Sequence, residues 1–202
     1  MNDFSLKDIT IVVIGKNEES NLERCFDSIN KITKSIIYVD SNSSDKSTEI
    51  ALRFGVKVVV ISSNYYTASL GRVVGARKVK TRLIQFIDGD MTLDGGWLKE
   101  SIKYLNLNSK CAVVHGFKKE YKTPNSFTIK ADKKNWRSDY LQGSYLIIKE
   151  VYFNAGELDP RFPGEEERDL YVRIHKIGYQ VWYIHKLMSS HYDFKKRGLK
   201  YL

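Results

Sequence analysis

Asp88-Gly89-Asp90 is the segment of this 202-residue chain whose residue types most directly suggest chemistry. The apolar run Leu83–Ile87 precedes it and is typical of a buried strand, so both carboxylates stand at the end of a strand. Carboxylate oxygens are the ligands that Mg²⁺ and Mn²⁺ prefer, and such a cation can also bind nucleotide phosphates. A solvated turn is the simpler interpretation of the same residues, because Asp and Gly are common in turns.

Two further strand-like runs end in polar residues. Asn17-Glu18-Glu19 follows the run Ile9–Ile14, and Asp40 ends the run Ile36–Val39. Acidic groups gathered at one edge of a sheet repel each other unless a cation or a donor-rich ligand lies among them. Taken singly, Asn17 and the glutamates could simply begin a helix, where carboxylates are favoured by the helix dipole.

The elements that must position these residues alternate between strand and helix. Helical patterns are predicted around Leu22–Ile29, 45–54 and Leu70–Lys78, and a further strand over Val56–Ile61. Continuous Val/Ile runs separated by amphipathic helices predict an α/β fold with a mostly parallel sheet flanked by helices on both faces. Ligands of such sheets bind beyond the carboxyl ends of the strands.

Composition indicates one globular domain spanning 1–202. Apolar residues make up 42% of the chain, and the formal net charge of +9 predicts attraction to anions such as nucleotides, nucleic acid or an acidic membrane. No nucleic-acid-binding motif accompanies that charge, so no nucleic acid partner is expected. Cys25 and Cys111 fit buried thiols in a reducing compartment.

The order of these motifs resembles glycosyltransferases of family 2, which are inverting nucleotide-sugar enzymes with the GT-A fold. The resemblance rests on the Asn-Glu-Glu turn, the Asp-Ser-x-Ser-x-Asp stretch from Asp40 and the Asp-x-Asp segment. Further matches follow in chain order over most of the sequence: Arg72 and Gly75, Gln142-Gly143-Ser144, Ala155–Asp159, Glu165–Leu170, Arg173, Gly178-Tyr179 and His191. Val73 departs from the pattern, because it replaces the Asn that the family places after the arginine.

The resemblance implies a nucleotide-binding half at about 8–110, in which Asn17, Glu19 and Asp40 hold the nucleotide. Asp90 would be the main ligand of Mn²⁺ or Mg²⁺. Asp88 would lie by the ribose or complete the metal shell, with Gly89 in the same donor site. Arg72 would neutralise part of the diphosphate charge.

The resemblance places catalysis in a second half at about 111–192. Inverting transfer needs a base for the acceptor hydroxyl, and the register from Asp169-Leu170 puts Glu167 where the family usually has an Asp. Glu is one methylene longer, and a slip of one residue makes Glu166 the base instead. A helix start decorated with carboxylates is the alternative interpretation. We expect repulsion among the adjacent glutamates to raise their pKa values.

His191 lies where many relatives have a histidine near the metal or the diphosphate, and a surface position fits it equally well. The basic and aromatic stretch from Phe117 to Tyr140 would shape the acceptor pocket, or it is a solvated loop. The basic tail 193–202 could rest on anionic lipid and continue into a longer native chain. The sequence lacks an export signal and a long apolar run, so we expect a cytoplasmic protein that associates with the inner face of the membrane.

We therefore expect a metal-dependent inverting glycosyltransferase that uses a nucleoside-diphosphate sugar, with UDP-sugar as the expected donor. Its acceptor would be a glycan or lipid-linked sugar in bacterial surface polysaccharide or glycolipid assembly. A catalytically impaired nucleotide-sugar-binding relative is the first alternative, because of the glutamate at position 167. A nucleotidyltransferase is the second, although the glycine-rich basic loop expected after its first strand is replaced by Gly15–Glu19.

Overall fold

A computed structural model describes residues 2–161, 164 and 166–192. Glu165 and the basic tail 193–202, which both enter the sequence predictions, lie outside the described residues. The helices are α1 Leu22–Asn30, α2 Ser47–Arg53, α3 Ala68–Ala76, α4 Trp97–Leu107, α5 Lys149–Asn154 and α6 Glu166–Lys176. The strands are β1 Ile9–Gly15, β2 Ile36–Asp40, β3 Lys57–Val60, β4 Leu83–Asp88, β5 Met91–Leu93, β6 Cys111–Thr123, β7 Ser126–Ile129, β8 Trp136–Arg137, β9 Tyr145–Ile148 and β10 Gln180–Tyr192.

One sheet runs through the described residues in the order β3-β2-β1-β4-β9-β6-β10-β5. The first four strands are parallel, as the alternation of strands and helices predicts. The second part of the sheet is mixed, because β9 pairs antiparallel with both β4 and β6, whereas β6 and β10 run parallel. β7 extends β6 as an antiparallel hairpin beyond the main path of the sheet.

The register of β1 gathers the three predicted strand ends at one edge. Gly15 pairs with Asp40 on β2, and Ile14 pairs with Asp88 on β4. β2 and β3 lie on one side of β1, and the next strand, β4, lies on its other side. The strand order therefore reverses at this edge, and ligands of open α/β sheets bind at such a switch point. The predicted convergence of polar residues at this edge is confirmed.

Alternate residues of β1 point to opposite faces of the sheet, and each face is covered by helices. Ile11 and Val13 belong to the core under α1, α2 and α4, whereas Val12 and Ile14 belong to the core under α3, α5 and α6. A Cβ atom at Gly75 of α3 would lie 2.4 Å from Val12 Cγ1. Glycine at this position therefore lets α3 approach β1 closely.

The structure corrects two sequence predictions, on β10 and on the Phe117–Tyr140 stretch, and confirms the one on the cysteines. β10 is longer than the predicted strand at 180–184 and continues through His191, which lies within the sheet and not after it. The Phe117–Tyr140 stretch is not simply a solvated loop, because most of its first half forms β6 and β7. Cys25 and Cys111 are free and buried, as expected.

Candidate active site

The loops after β1 and β2 are joined by hydrogen bonds. Asn17 adopts a left-handed conformation with φ of 56°, its backbone N–H donates to Ser43 Oγ at 2.8 Å, and its Oδ1 accepts from the Ser44 N–H at 2.9 Å. Glu19 accepts from the Lys46 N–H through Oε2 at 3.1 Å. Asn17 and Glu19 thus join two loops at the edge of the sheet, and direct contact with a nucleotide stays a prediction.

Asp40 lies beneath these loops and is 1% exposed. Its carboxylate accepts from Tyr38 Oη at 3.0 Å, from the Ser43 N–H at 2.7 Å and from Ser43 Oγ at 2.6 Å. Buried carboxylates are stable when their oxygens are hydrogen-bonded in this way. In this structure Asp40 fixes the shape of the loop, and its predicted contact with a base or ribose stays a prediction.

Asp90 and His191 form a hydrogen bond at the same edge of the sheet. His191 Nε2 lies 3.0 Å from Asp90 Oδ2, and its Nδ1 lies 2.6 Å from Glu120 Oε2. The hydrogen bond to Asp90, with the negative charge of both carboxylates, raises the pKa of His191 to about 9. His191 is therefore protonated at neutral pH and donates from both ring nitrogens.

The carboxylate ligands at this edge of the sheet fit a metal ion that is bound by the protein and the substrate together. Asp90 Oδ1 is buried and has no hydrogen-bond partner within the described residues. Mg²⁺ characteristically binds through one or two carboxylates and completes its shell with water and substrate phosphates. Within the described residues no three His, Cys, Asp or Glu side chains form a metal cluster on their own. Ligation by His191 would require the loss of a proton.

Arg72 bridges the end of β4 to the start of α6. Its guanidinium Nη2 donates to Asp88 Oδ1 at 3.0 Å and Nη1 donates to Glu167 Oε1 at 3.2 Å. Burial lowers the pKa of Arg72, but the negative charges of Asp88 and Glu167 outweigh it and raise the pKa overall. Arg72 is 3% exposed, so its charge is balanced by these two carboxylates, and its predicted role toward a diphosphate stays a prediction.

Glu166 and Glu167 begin α6 but point to different partners. Glu166 Oε2 accepts from the Gly164 N–H at 2.7 Å, whereas Glu167 meets Arg72. Burial raises the pKa of Glu167, Arg72 lowers it, and Glu166 raises it further. The expected upward shift is therefore present at Glu167, but burial contributes more than repulsion among glutamates.

The turn after α5 holds α6 in place. Arg173 on α6 donates to the carbonyls of Ala155 and Glu157 and to Asp169 Oδ2. Glu157 itself has a positive φ of 61°, which orients this turn. Arg173 and the 155–159 turn, which both belong to the predicted family pattern, thus hold in place the helix that carries Glu167.

Two cavities border the Asp88–Arg72–Glu167 bridge, one through Asp88 and the other through Gly143, and they are named here for their predicted roles. The first, of about 270 Å³, is the donor-side cavity, and its walls include Gly15, Lys16, Glu18, Ser41, Asp88 and Asp90. The second, of about 710 Å³, is the acceptor-side cavity, and it lies between the β6–β7 hairpin and the Gln142-Gly143 turn. A Cβ atom on Gly143 would lie 2.7 Å from Arg72 Nη2 and 3.4 Å from Glu167 Oε1, so the Gly143 wall of this cavity lies next to the Arg72–Glu167 ion pair.

Sequence reasoning missed Lys16 and Glu120. Lys16 lines the donor-side cavity and lies 4.4 Å from the Tyr66 ring centroid, and its position directly after β1 was a usable signal. Glu120 is fixed beside His191 by the pairing of β6 with β10. That pairing joins segments about 70 residues apart, so no local pattern indicates it.

Comparisons with known proteins agree with this architecture. The family described as Glycosyl transferase family 2 matches residues 10–157. An uncharacterized glycosyltransferase of Rickettsia bellii is 42% identical over 60 residues, which make up 30% of this chain and 20% of that protein. The chain thus spans about a fifth of the length of this relative.

Two solved structures share the fold. TarS residues 1–349 of S. aureus, in complex with UDP-GlcNAc, matches with a TM-score of 0.77 at 14% identity, covering 91% of this chain and 58% of that one. GalNAc-T7 with UDP, GalNAc and Mn²⁺ matches with a TM-score of 0.69 at 16% identity, covering 90% and 43%. The chain therefore has the GT-A fold and belongs to glycosyl transferase family 2.

Proposed function

We propose that this chain transfers a sugar, with inversion, from a UDP-sugar to an acceptor hydroxyl. The observation that carries the proposal is the Arg72 bridge, in which one buried guanidinium contacts Asp88, at the donor-side cavity, through Nη2 and Glu167 through Nη1. A displacement reaction needs the leaving group on one side of the anomeric carbon and a base on the other, and the bridge supports this by holding a donor-side carboxylate and the proposed base on one side chain.

The donor-side cavity supports a nucleoside diphosphate. Asn17, Glu19 and Asp40 hold together the two loops from which Lys16, Glu18 and Ser41 line the cavity. Gly89 lets the turn after β4 pass close to Ile14, whose carbonyl accepts the Gly89 N–H at 2.8 Å. Lys16 is exposed beside this cavity and supplies a cation for a phosphate group. Structures of similar fold are described with UDP, which favours uridine as the base.

A divalent cation, Mn²⁺ or Mg²⁺, would be held by Asp90 and Asp88, with His191 beside it. When bound, such a cation neutralises charge on the leaving diphosphate. Asp90 Oδ1, which is buried and has no hydrogen-bond partner among the residues that the structure describes, supports this assignment.

Glu167 is the proposed base. Its carboxylate accepts the proton of the acceptor hydroxyl while that oxygen forms a bond to the anomeric carbon. The bond between this carbon and the diphosphate oxygen breaks, and UDP leaves with the electron pair. Arg72 orients Glu167 through the 3.2 Å contact, and a raised pKa strengthens Glu167 as a base near neutrality.

The remaining expectations extend this proposal. The chain would act as one catalytic domain, with the donor half at about 8–110 and the acceptor half at about 111–192. The acceptor would be a glycan or lipid-linked sugar of the cell envelope, and the enzyme would work in the cytoplasm against the inner membrane face. Within the described residues no helix is both long enough and apolar enough to cross a membrane.

Thermal unfolding with UDP, with and without Mn²⁺, tests the donor site. A ligand at a hundred times its dissociation constant stabilises by about 2.7 kcal/mol, or roughly 5–11 °C for a chain of this size. We expect a shift of this order that depends on Mn²⁺ and is largely lost in Asp90→Asn. No shift with UDP or any other nucleoside diphosphate would contradict the proposed donor site.

Hydrolysis of UDP-sugars in the absence of acceptor tests the base. Removal of a general base costs about 10²–10⁴-fold, so we expect a loss of at least 100-fold in Glu167→Gln. Glu150→Gln, at an exposed glutamate in the first turn of α5, is the matched control. Retained UDP binding in Glu167→Gln would show that the variant is folded, and unchanged hydrolysis would overturn the assignment. A wild-type chain that binds UDP and hydrolyses no donor would support the catalytically impaired alternative.

A further inference from the structure

The β6–β7 hairpin places most of its cations on one face. Side chains of a strand alternate between faces, so Lys118 and Glu120 of β6 point to the same side, and Lys122, at a register shift between Tyr121 and Thr123, lines the same acceptor-side cavity. Glu120 pairs with Thr128 and Lys119 pairs with Ile129, so Lys130 follows on the Thr128 side, opposite Lys118. All five of these side chains, Lys118, Glu120, Lys122, Thr128 and Lys130, line the acceptor-side cavity.

The opposite face of the hairpin is aromatic and apolar. Tyr121 stacks on Tyr192 with ring centroids 4.8 Å apart, and it also contacts Phe127. Lys119 belongs to this face and lies 5.4 Å from the Phe127 ring centroid. Lys118, Lys122 and Lys130 thus line the cavity, whereas Lys119 lies on the aromatic face.

The cavity carries excess positive charge. Lys118 is paired with Glu120 at 3.3 Å, and Glu120 also bonds to His191. Within the part of the chain that the structure describes, Lys122 and Lys130 form no ion pair. Lysines facing each other across a strand pair repel, and a bound anion relieves that repulsion.

A buried hydrogen-bond chain fixes the opposite wall of the cavity. Gln142 Nε2 lies 3.0 Å from His115 Nδ1 and 3.4 Å from the Gly116 carbonyl, and His115 Nε2 lies 3.0 Å from Ser138 Oγ. Burial lowers the pKa of His115 to about 3, so its ring is neutral. Because Gly116 offers a carbonyl, Gln142 must present its NH₂ to this pair, which leaves Gln142 Oε1 as an acceptor for a ligand hydroxyl.

We propose that the acceptor of this enzyme carries an oxyanion, a phosphate or a carboxylate, that binds Lys122 and Lys130 while the reacting hydroxyl lies near Gly143 and Glu167. This inference rests on the proposed function, because it assigns the larger cavity to the acceptor. It adds the chemical class of that acceptor. The lysines of the hairpin and Gly143 line one cavity of about 710 Å³, and Gly143 lies next to Glu167.

Amide chemical shifts of the ¹⁵N-labelled 202-residue chain test the inference. The probes are glucose, glucuronate and glucose 6-phosphate, which share a ring and differ in charge. We expect glucuronate, glucose 6-phosphate or both to shift the amides of 118–122, 128–130 and 142–143, with glucose much weaker at equal concentration. A response to one anion alone identifies the oxyanion as carboxylate or phosphate.

The double variant Lys122→Gln with Lys130→Gln removes the proposed contacts. Two exposed ion pairs justify an expected weakening of anion binding of about five-fold. The matched control is Lys78→Gln with Lys80→Gln, which removes the same charge from exposed lysines just before β4, at the opposite edge of the sheet. Anion binding to the control variant should equal that of the wild type.

Several outcomes would overturn the inference. Equal responses to glucose and the two anions, or no response at the hairpin, would exclude an anionic acceptor at this site. Loss of hairpin signals on addition of phosphatidylglycerol vesicles, without any response to the sugars, would assign the lysines to a membrane surface instead. Titration with UDP monitors Gly15–Glu18 and Asp88–Asp90 separately, so a failure of the proposed donor site is distinguishable from a failure of this inference.

Discussion

The donor-side and acceptor-side cavities are built by different means. The donor side lies at the carboxyl ends of three adjacent parallel strands, and loops joined by hydrogen bonds between 17–19 and 43–46 form its rim. The acceptor side lies on a hairpin that extends past the sheet, and its β7 strand is exposed throughout. Hydrogen bonds between two loops thus shape the donor side, whereas the acceptor side combines the His115–Gln142 hydrogen-bond chain on one wall with exposed lysines on the other.

This difference indicates which side of the site is constrained by folding. A buried, fully bonded carboxylate such as Asp40 costs stability if its partners are lost, so the donor side is constrained by folding as well as by function. Exposed lysines such as Lys122 and Lys130 contribute little to folding, so they are free to match an acceptor. The Arg72 bridge belongs to both sides, because its two ion pairs span them.

The largest expected effect is therefore at Arg72. Arg72→Met leaves Asp88 and Glu167 without their shared cation, which we expect to cost about 2–4 kcal/mol, somewhat less than a fully buried ion pair because both carboxylates stay partly exposed. Arg77→Met, in the turn that ends the same helix, removes an exposed arginine paired with Glu157 and should cost less than about 1 kcal/mol. Urea unfolding monitored by circular dichroism measures both. Equal losses would contradict a special role for the bridge.

Close packing of α3 on β1 gives the next effect. Gly75→Ala forces a methyl group into Val12 and Val39, and overpacking of this kind costs about 1–3 kcal/mol. Gly95→Ala is the control, because nothing lies within 4 Å of a Cβ atom there and its φ is not positive. Thermal unfolding should separate the two variants. If Gly75→Ala unfolds like the wild type, α3 can move away from β1 without loss.

The pH dependence of donor hydrolysis tests the base on the acceptor side of the bridge. Burial raises the pKa of Glu167, so the rate should rise with pH along a limb whose midpoint lies above the usual glutamate value of about 4.3. The raised pKa also means that Glu167 stabilises the fold below its unfolded pKa and that this contribution is lost as pH rises through the folded value. The limb should persist in Glu166→Gln. A midpoint at or below 4.3 would contradict the assignment of Glu167.

The fold of the donor half could be predicted from sequence because its signals are local. Each strand, helix and polar strand end over Ile9–Asp88 lies within a short window, and parallel pairing follows from their alternation. The family match over residues 10–157 and the two solved structures confirm the predicted family and the GT-A fold. Helix bounds differ by a few residues, as at α3, which begins at Ala68 rather than Leu70.

The acceptor half could not be predicted to the same depth, because its contacts join distant segments. The antiparallel insertion of β9 between β4 and β6 places Tyr145–Ile148 beside Leu83–Phe86, and nothing local to 145–148 indicates it. The same holds for Glu120 beside His191 and for Glu167 beside Arg72, which is 95 residues away. Residue roles at these contacts remain predictions that the experiments above address.

The smallest expected effect is on stability, and it compares the two sides directly. One hydroxyl is removed from the donor side and one from the hairpin on the acceptor side. Ser43→Ala removes the Oγ that donates to Asp40 at 2.6 Å and accepts from the exposed Asn17 N–H at 2.8 Å, and loss of the bond to the buried charged group should cost about 1.5 kcal/mol. Ser126→Ala, on the exposed β7 strand, should change stability by less than about 0.5 kcal/mol. Both variants remove a hydroxyl, so chemical denaturation compares the two surroundings and not the two side chains. Equal stability would mean that the loops after β1 and β2 keep their shape without this bond, and the donor side would then be no more rigid than the hairpin.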